Sequence, residues 1–516
     1  MEGRDRFIRF LMLLLMAGLL GAWFHVYAQA YTAADTLWLA EAAARFLNGE
    51  RMAAAYYDPN PPLSVILYVP PALVTQWGLM PVHMSVFYYT LLILALTSLL
   101  LYKTLKAAPG SDEQTAFLCT SAFIIANTVL TGITFTERDQ ILGMALCPFV
   151  LTQVFITKRW PLPRWLFHTA LFLGAVLVLL KPHHGLLPVL IILHRALTQK
   201  RLDVWKDADF IYLACCTSAY LVLCLTYFSD YTFGILPDVL SLYSKTATPV
   251  IVQYYAHYVL IFAGVMAAGF LLNGRKPSWP GTFLLACAVI AFIAYAAQMR
   301  GYHYHMLPAV MFFAMGLACT IKDTAVRFLD ARYAMPAALV AVMALALLHY
   351  PLMRTFPTHE QYYKDMPISG IVRQCPAPCP FFMMNDTMEI VHQTAAYNDR
   401  PWASRFPSVW FIPAIINLLG EGRVEEATAL RDKYGKMVGE DLARYKPKLV
   451  LLAEFKVTRR GTINFSKFFS ANPEFRSEWA KYRLAQRVTI DQGVYFRGTA
   501  QDKHKPMTYQ IYERIE

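Results

Sequence analysis

The chain has 516 residues, of which 57% are hydrophobic and only 16% charged, and its mean hydropathy is +0.37. This composition excludes an ordinary soluble protein of this length and indicates a multi-pass membrane protein. The net charge of +12 does not require a nucleic-acid partner, because the basic residues follow a membrane pattern.

That pattern is an asymmetry between the loops on the two sides of the predicted membrane. Up to residue 350, loops on the N-terminal side carry 17 Lys and Arg residues, whereas loops on the other side carry 6. Because positively charged loops are retained in the cytoplasm, we predict a cytoplasmic N-terminus.

The first predicted element is an apolar run from Phe7 to Tyr27, about 20 residues long, which we interpret as an uncleaved first span. An amphipathic first outward loop follows at residues 30–80 and contains Asp35. Within it, the run from Leu63 to Trp77 is broken by Pro70 and Pro71 and predicts an interfacial helix rather than a span.

Ten further apolar runs alternate across the bilayer, which gives about 11 transmembrane helices and places the C-terminus outside. They cover residues 82–102, 115–133, 141–156, 165–180, 186–197, 210–228, 255–272, 281–297, 306–321 and 334–350.

The composition becomes more polar after Pro351, and we predict a second domain over residues 351–516, following a transmembrane catalytic domain over 1–350. Residues 378–386 and 446–455 predict buried strands, and 422–445 predicts a helix between them. With a late hairpin around 486–497 and 507–514, these elements indicate a small α/β domain.

Two of the nine cysteines, Cys375 and Cys379, lie in this polar tail as CPAPC, whereas the other seven lie in apolar runs. We predict a disulfide between Cys375 and Cys379, which requires an oxidising compartment.

Ionisable residues near span ends are functional candidates, and here they gather in the outward loops. Carboxylates can remove a proton from an attacking hydroxyl, and we assign Asp35, Glu137 and Asp139 as catalytic candidates. Cations and donors in later loops can bind a phosphate. The phosphate-binding candidates are Lys181, His183, His184, Arg300, Tyr302 and His303. Tyr57, Asp58 and Asn60 are assigned as support for the first loop.

Each candidate also has a purely structural interpretation. Asp35 fits a helix N-cap, Glu137 and Asp139 fit a local ion-pair cluster with Arg138, and Lys181 fits a side chain that snorkels to the headgroups. The histidines fit membrane-interface residues, and Tyr302 and Tyr304 fit an aromatic belt.

Four motifs give the chain a family resemblance. They are DTLWLAEAAARFLNG from Asp35, YYDPNPPL from Tyr56, TERDQ from Thr136 and KPHHGLLP from Lys181. In these motifs residues 1–350 resemble the GT-C glycosyltransferase superfamily, nearest to bacterial aminoarabinose, mannosyl- and arabinosyltransferases. The resemblance implies a polytopic α-helical membrane protein of the bacterial inner membrane with a C-terminal α/β extracytoplasmic, periplasmic domain.

The resemblance further implies inverting transfer of a hexose or pentose from a polyprenyl-phosphate donor to a glycan or glycolipid acceptor of the cell envelope. Asp35 corresponds to the catalytic first-loop Asp, and Glu137 or Asp139 to the second-loop acidic position. Asn60 stands where several relatives have a phosphate-binding Lys, so Arg300 or His303 is expected to supply that charge. The resemblance leaves open whether the protein uses a divalent metal or none, and Glu137 and Asp139 are the candidate ligands for a metal.

Two other functions remain open from the sequence. A transporter or flippase of lipid-linked sugars has similar hydropathy, but transporters place ionisable residues at the bilayer midplane, and these spans carry almost no charge. A non-catalytic scaffold that presents the tail outside the membrane leaves the acidic loops unexplained.

Overall fold

The computed structural model describes residues 2–30, 32–242, 264, 267, 278–298, 302–353, 365–385, 388–454, 456–458, 461–491 and 506–515. Three sequence predictions lie outside this description. They are the span at residues 255–272, the candidate Arg300 and the side chain of His303.

Helices dominate the described residues. In chain order the α-helices are α1 (Glu2–Tyr27), α2 (Ala34–Leu47), α3 (Met52–Ala55), α4 (Pro62–Ile66), α5 (Val69–Gln76), α6 (Val82–Ala107), α7 (Glu113–Asn127), α8 (Arg138–Lys158), α9 (Arg164–Leu177), α10 (Leu186–Gln199), α11 (Ala208–Thr226), α12 (Leu236–Leu242), α13 (Trp279–Ala296), α14 (Leu307–Phe328), α15 (Ala331–Met353), α16 (Pro367–Gln374), α17 (Val391–Tyr397), α18 (Ile412–Gly420), α19 (Val424–Tyr445), α20 (Phe465–Phe469) and α21 (Pro473–Trp479). Short 3-10 helices at Val178–Leu180, Pro182–Gly185 and His303–Met306 connect several of them.

Six segments among the described residues are long and apolar enough to cross a membrane, which makes this a multi-pass membrane protein. They are Phe10–Tyr27, Val82–Ala107, Arg138–Lys158, Ala208–Thr226, Trp279–Ala296 and Tyr304–Phe328. Other predicted spans form shorter helices, such as α7 with 15 residues and α10 with 14. The predicted total of about 11 spans therefore stays a prediction.

The chain divides into two compact units. The first unit consists of Met1–Ala28, Phe87–Leu223 and Thr248–Phe356, and the second of Gln29–Val86, Cys224–Ala247 and Pro357–Glu516. The whole of the predicted first outward loop, residues 30–80, thus belongs to the same unit as the polar tail. The predicted functional domains, with a boundary at residue 350, stay a prediction.

The first unit is a bundle in which α8, buried along nearly its whole length, packs against α9 and α14. The contact between α8 and α9 is close because α9 carries a glycine there. A Cβ built on Gly174 would lie 2.3 Å from Cβ of Phe149, so no larger residue fits without moving a helix. Small residues of this kind let membrane helices approach closely.

The tail forms a four-stranded sheet in the second unit, of order β1-β2-β6-β5. Its strands are β1 (Phe381–Met384), β2 (Leu449–Glu454), β5 (Tyr482–Asp491) and β6 (Pro506–Arg514), and a separate pair consists of β3 (Lys456–Thr458) and β4 (Gly461–Thr462). β1 and β2 are parallel, and β6 is antiparallel to both of its neighbours. The two predicted strands and the helix between them are confirmed, as is the antiparallel pairing of the two late strands, whereas residues 492–497 of the predicted hairpin lie outside the described part of the chain.

The tail also contains the predicted disulfide, between Cys375 and Cys379. The interfacial segment of the first loop is broken as its prolines predict. α4 ends at Ile66, and α5 restarts at Val69 with prolines in its first turn, where their missing N–H groups are not needed for helix hydrogen bonds.

Helix α2 is fixed within the second unit by Arg45, whose side chain is buried. Its guanidinium donates hydrogen bonds to the carbonyl oxygens of Ala55 at 2.6 Å, Ser404 at 2.8 Å and Trp402 at 2.6 Å. An arginine can do this because it presents five donors in one plane. These bonds hold the helix that carries Asp35 against residues of the tail.

A second internal link is built around Asp238, which is 8% exposed. Its Oδ2 accepts hydrogen bonds from the hydroxyls of Tyr57 at 2.6 Å and Tyr434 at 2.8 Å. The ammonium of Lys433 lies 2.6 Å from the same oxygen and 2.8 Å from Oδ1. One carboxylate therefore joins the first loop, α12 and the tail helix α19.

We expect Asp238→Ala to lower the free energy of unfolding of the second unit by about 2–4 kcal/mol, because it leaves two buried hydroxyls without their acceptor. Lys433 is 43% exposed and remains solvated, so its contribution is small. Thermal denaturation of the purified protein measures the change. Asp432→Ala, at an exposed carboxylate in the same helix, should leave the melting temperature unchanged. Equal melting temperatures for the Asp238→Ala and Asp432→Ala variants would contradict this account.

Candidate active site

Three short segments of the first unit bring acidic and basic candidates together. Asp139 lies in the first turn of α8, two residues after Glu137, which occupies the N-cap position. Lys181 lies between two 3-10 helices, at the end of Val178–Leu180 and before Pro182–Gly185. The third segment is the 3-10 helix His303–Met306, which packs against α8. Each segment lies at the start of an α-helix or at a 3-10 helix, and the side chains of Asp139, Lys181 and His305 come together there.

The centre of this cluster is a buried ion pair between Asp139 and Lys181. Lys181 Nζ lies 2.9 Å from Asp139 Oδ2, and the two side chains are 10% and 0% exposed, respectively. The pairing argues against a lysine that snorkels to the headgroups. It also differs from the local ion-pair interpretation, because the partner of Asp139 lies 42 residues further along the chain.

Three histidine rings lie around the pair, those of His184 and His305 buried and that of His183 half-buried, and several of their nitrogens have no hydrogen-bond partner among the described residues. His184 Nε2 is 3.9 Å from Asp139 Oδ1, which is too long for a hydrogen bond. Both ring nitrogens of His184, Nε2 of His183 and Nδ1 of His305 lack a hydrogen-bond partner among the residues that the structure describes. Because buried polar groups are normally satisfied, unpartnered nitrogens in one cluster indicate a place for a polar ligand.

Two residues of the cluster, Lys181 and His183, lie just beyond the apolar segment Arg164–Leu180 and have shifted pKa values. Burial lowers the pKa of Lys181 to about 8, although the charge of Asp139 opposes this shift. Burial, together with His184 and Lys181, lowers the pKa of His183 to about 3. Near neutral pH, Lys181 therefore supplies a positive charge and His183 a neutral imidazole.

Tyrosines cover one side of the cluster. Lys181 Nζ lies 5.3 Å from the centroid of the Tyr304 ring, within the range of a cation–π contact. Tyr302 stacks on Tyr304 with a centroid separation of 5.7 Å and is 48% exposed. Tyr304 contacts Lys181 directly, and Tyr302 contacts Tyr304, so the two tyrosines do more than form part of an aromatic belt at the membrane interface.

The residues described here do not form a divalent-metal site. No group of three or more His, Cys, Asp or Glu side chains in the described part of the chain is arranged to hold a metal ion. Asp139, a candidate ligand, already has the ammonium of Lys181 beside its carboxylate.

Asp35 lies in the second unit, in the first turn of α2, and is partly exposed. The N-cap of this helix is Ala33, so Asp35 stands inside the first turn and does not occupy the cap position. A carboxylate there interacts favourably with the positive end of the helix dipole.

The YYDPN segment that follows α3 is held by two hydrogen-bonded carboxylates. Asp58, which is fully buried, accepts hydrogen bonds from the indole of Trp38 in α2 and from the backbone N–H of Asn60, the latter at 2.6 Å. Tyr57 donates to Asp238. Tyr57 and Asp58 thus have contacts that support the first loop, whereas the only contact described for Asn60 is made by its backbone.

The sequence analysis missed three residues: Asp238 and Lys433, which pair in the second unit, and His305, which lies beside the ion pair of Asp139 and Lys181. Asp238 and Lys433 are separated by 195 residues, and no local pattern relates them. His305 was visible in the YHYH stretch, but only its burial and proximity to Lys181 and Asp139 distinguish it from its neighbours.

Comparisons with known proteins support the fold. No protein-family model and no curated protein sequence matches the chain. The crystal structure of ArnT from Cupriavidus metallidurans bound to undecaprenyl phosphate is similar, with a TM-score of 0.55, 13% sequence identity and coverage of 96% of this chain and 97% of that chain. The apo structure of the same ArnT gives a TM-score of 0.51, 12% identity and coverage of 86% and 92%. The chain therefore has a GT-C-like fold, as its motifs predicted.

Proposed function

We propose that this protein is an inverting glycosyltransferase of the bacterial inner membrane that takes a sugar from a polyprenyl-phosphate donor. The observation that carries the proposal is the fold, which is similar over 96% of the chain to a structure bound to undecaprenyl phosphate. The acceptor is a glycan or glycolipid of the cell envelope, and the sugar is a hexose or a pentose. The N-terminus lies in the cytoplasm, and the tail lies in the periplasm.

In the proposed reaction Asp35 is the general base. Its carboxylate takes the proton of an acceptor hydroxyl, and the oxygen forms a bond to the anomeric carbon of the donor sugar. The bond between that carbon and the phosphate oxygen breaks, and its electron pair leaves with polyprenyl phosphate. Attack opposite the leaving group inverts the anomeric configuration.

The leaving phosphate gains negative charge as this bond breaks, and the cluster in the first unit is suited to stabilise it. Lys181 provides the cation, and the unpartnered ring nitrogens of His183, His184 and His305 provide donors where their tautomers carry a proton. Arg300, Tyr302 and His303 stay candidates for the same role. Asp139 then acts through Lys181 by holding its ammonium in place, and Glu137 stays a catalytic candidate.

Binding of undecaprenyl phosphate to the purified full-length protein in nanodiscs tests the phosphate site. We expect saturable binding in native mass spectra, and we expect Lys181→Met to weaken it by roughly tenfold or more, because it removes a charged hydrogen-bond donor. Lys433→Met is a matched control, since Lys433 lies in the tail and pairs with Asp238. Equal binding by the two variants would reject Lys181 as the phosphate ligand.

The pH dependence of this binding should follow Lys181. The lysine is protonated below its pKa of about 8 and loses its charge above it, so affinity should fall as the pH rises from 7 to 9. A phosphate monoester, with a second pKa near 6, is already doubly charged throughout this range. Lys181→Arg keeps a positive charge at all these pH values and should flatten the profile. A wild-type affinity that does not change between pH 7 and 9 would contradict the assignment.

A further inference from the structure

A cavity of about 880 Å³ lies wholly within the second unit. One wall is formed by α2, α5 and the segment that leads into α6, and the other by residues 392–402 of the tail. Its volume is in the range of small-molecule binding sites. We call it the tail groove.

The tail groove is separate from the catalytic carboxylate. Its residues on α2 are Leu37, Ala40, Glu41 and Ala44, which lie on one face of the helix. Asp35 and Ala44 are nine residues apart, which at 3.6 residues per turn is two and a half turns. Asp35 therefore lies on the opposite face of α2, and a ligand in the groove is not positioned for proton removal by Asp35.

Planar polar side chains line the groove with unused hydrogen-bonding capacity. Arg400 makes only long hydrogen bonds, of 3.4 and 3.5 Å, to backbone carbonyls, and it pairs with no carboxylate in the described part of the chain. Glu41 uses Oε1 for Arg45, which leaves Oε2 available, and Gln76 uses only its amide nitrogen. Asp399 is exposed at the same wall.

Guanidinium, carboxylate and amide groups can each bind two neighbouring hydroxyls at once. Aromatic rings complete the wall. The ring of Tyr397 meets His83 edge to face at 5.3 Å, and Trp402 lies beyond them. One cation and two carboxylates give this wall no excess of positive charge, so it does not favour a phosphate. Together these features fit a neutral, hydroxyl-rich sugar.

The rim of the groove indicates where that sugar comes from. Leu79, Met80 and Pro81 line it, immediately before the membrane-spanning helix α6 begins at Val82. Trp77 and Leu79 are 68% and 66% exposed, and exposed tryptophans next to a span are typical of the membrane interface. A ligand with its sugar in the groove can therefore have its acyl chains in the bilayer.

We propose that the tail groove binds the sugar headgroup of a glycolipid. Its identity as the acceptor rests on the proposed function, and the headgroup bound here is a sugar other than the one that reacts. The groove then holds the acceptor at the protein and sets which glycolipids are used, whereas Asp35 acts on a hydroxyl elsewhere on the same molecule.

The test measures lipid binding to the full-length protein in phosphatidylcholine nanodiscs by native mass spectrometry. The probes are glucosyl-, galactosyl- and N-acetylglucosaminyl-diacylglycerol, compared with diacylglycerol and phosphatidylglycerol. At least one glycosyl lipid should bind roughly tenfold or more tightly than diacylglycerol, as expected from hydrogen bonds to charged groups. Arg400→Ala, and Ala44→Trp, which fills the groove, should each remove most of this preference.

Matched controls are Arg431→Ala, at a partly exposed arginine of the same unit that does not line the groove, and Ala54→Trp, at an exposed alanine. Both should bind like the wild type. No preference for any of the three sugars, a preference for phosphatidylglycerol, or a preference that survives both groove variants would overturn the proposal. Undecaprenyl phosphate binding, measured in parallel, reports on the proposed function separately and should be the same in all four variants.

Discussion

Asp35→Asn should reduce the rate of sugar transfer by about 10²–10⁴-fold while the protein remains folded, because an amide cannot accept the proton of the attacking hydroxyl. The substitution keeps the size of the side chain, and Asp35 is partly exposed in the first turn of α2, so little packing is lost. Release of polyprenyl phosphate from a lipid-linked sugar donor measures the rate. Binding of the donor should be retained, because the cation proposed to bind its phosphate, Lys181, is unchanged.

The matched control is Glu50→Gln, which makes the same carboxylate-to-amide change in the same loop. Glu50 pairs with Arg444 at 2.7 Å and has no proposed role in the reaction. We expect Glu50→Gln to transfer at close to the wild-type rate. If Asp35→Asn transferred sugar as fast as Glu50→Gln, Asp35 would not be the general base.

Lys181→Met should destabilise the first unit by about 3–5 kcal/mol, because it leaves the fully buried carboxylate of Asp139 without its partner. The double variant Asp139→Asn/Lys181→Met removes both charges and should recover most of the lost stability. It should not recover phosphate binding, because the cation is still missing. Thermal denaturation and native mass spectrometry measure the two properties separately.

This pair of variants separates a structural role from a functional one. If the lysine served only to neutralise Asp139, the double variant would regain both stability and undecaprenyl phosphate binding. If the single variant were as stable as the wild type, the ion pair would not be buried as the structure describes.

Sequence patterns predicted those elements that depend on residues close together in the chain. The apolar runs FFMM and LVLLAE became β1 and β2, and the helix predicted at 422–445 is α19. The proline pair at Pro70 and Pro71 predicted the break before α5, because proline fits the first turn of a helix but removes a backbone hydrogen bond in a helix interior. The cysteine spacing in CPAPC predicted the disulfide.

Contacts between distant segments could not be predicted in this way. Arg45 bonds to residues more than 350 positions away, and nothing in DTLWLAEAAARFLNG shows that its arginine is buried. For the same reason the sequence could not show that residues 29–86 form a compact unit with the tail, whereas the predicted functional domains stay a prediction.

The candidate site was predicted in outline. The sequence placed Asp139 and Lys181 in neighbouring outward loops, but it could not show that their side chains form a 2.9 Å ion pair. This pair supports the proposal that Asp139 positions a cation, and the predicted catalytic role of Asp139 stays a prediction. Two carboxylates that are close in sequence, such as Glu137 and Asp139 in TERDQ, do not reveal which of them is paired with a cation.

The most direct measurement is sugar transfer by the purified protein in nanodiscs, with a panel of undecaprenyl-phosphate hexoses and pentoses and the total glycolipid of the bacterial envelope as acceptor. We predict release of undecaprenyl phosphate together with a glycosylated acceptor whose new anomeric bond, determined by NMR, is inverted relative to the donor. Intact donor after incubation with every member of the panel, or its movement across the membrane without bond cleavage, would contradict the proposal.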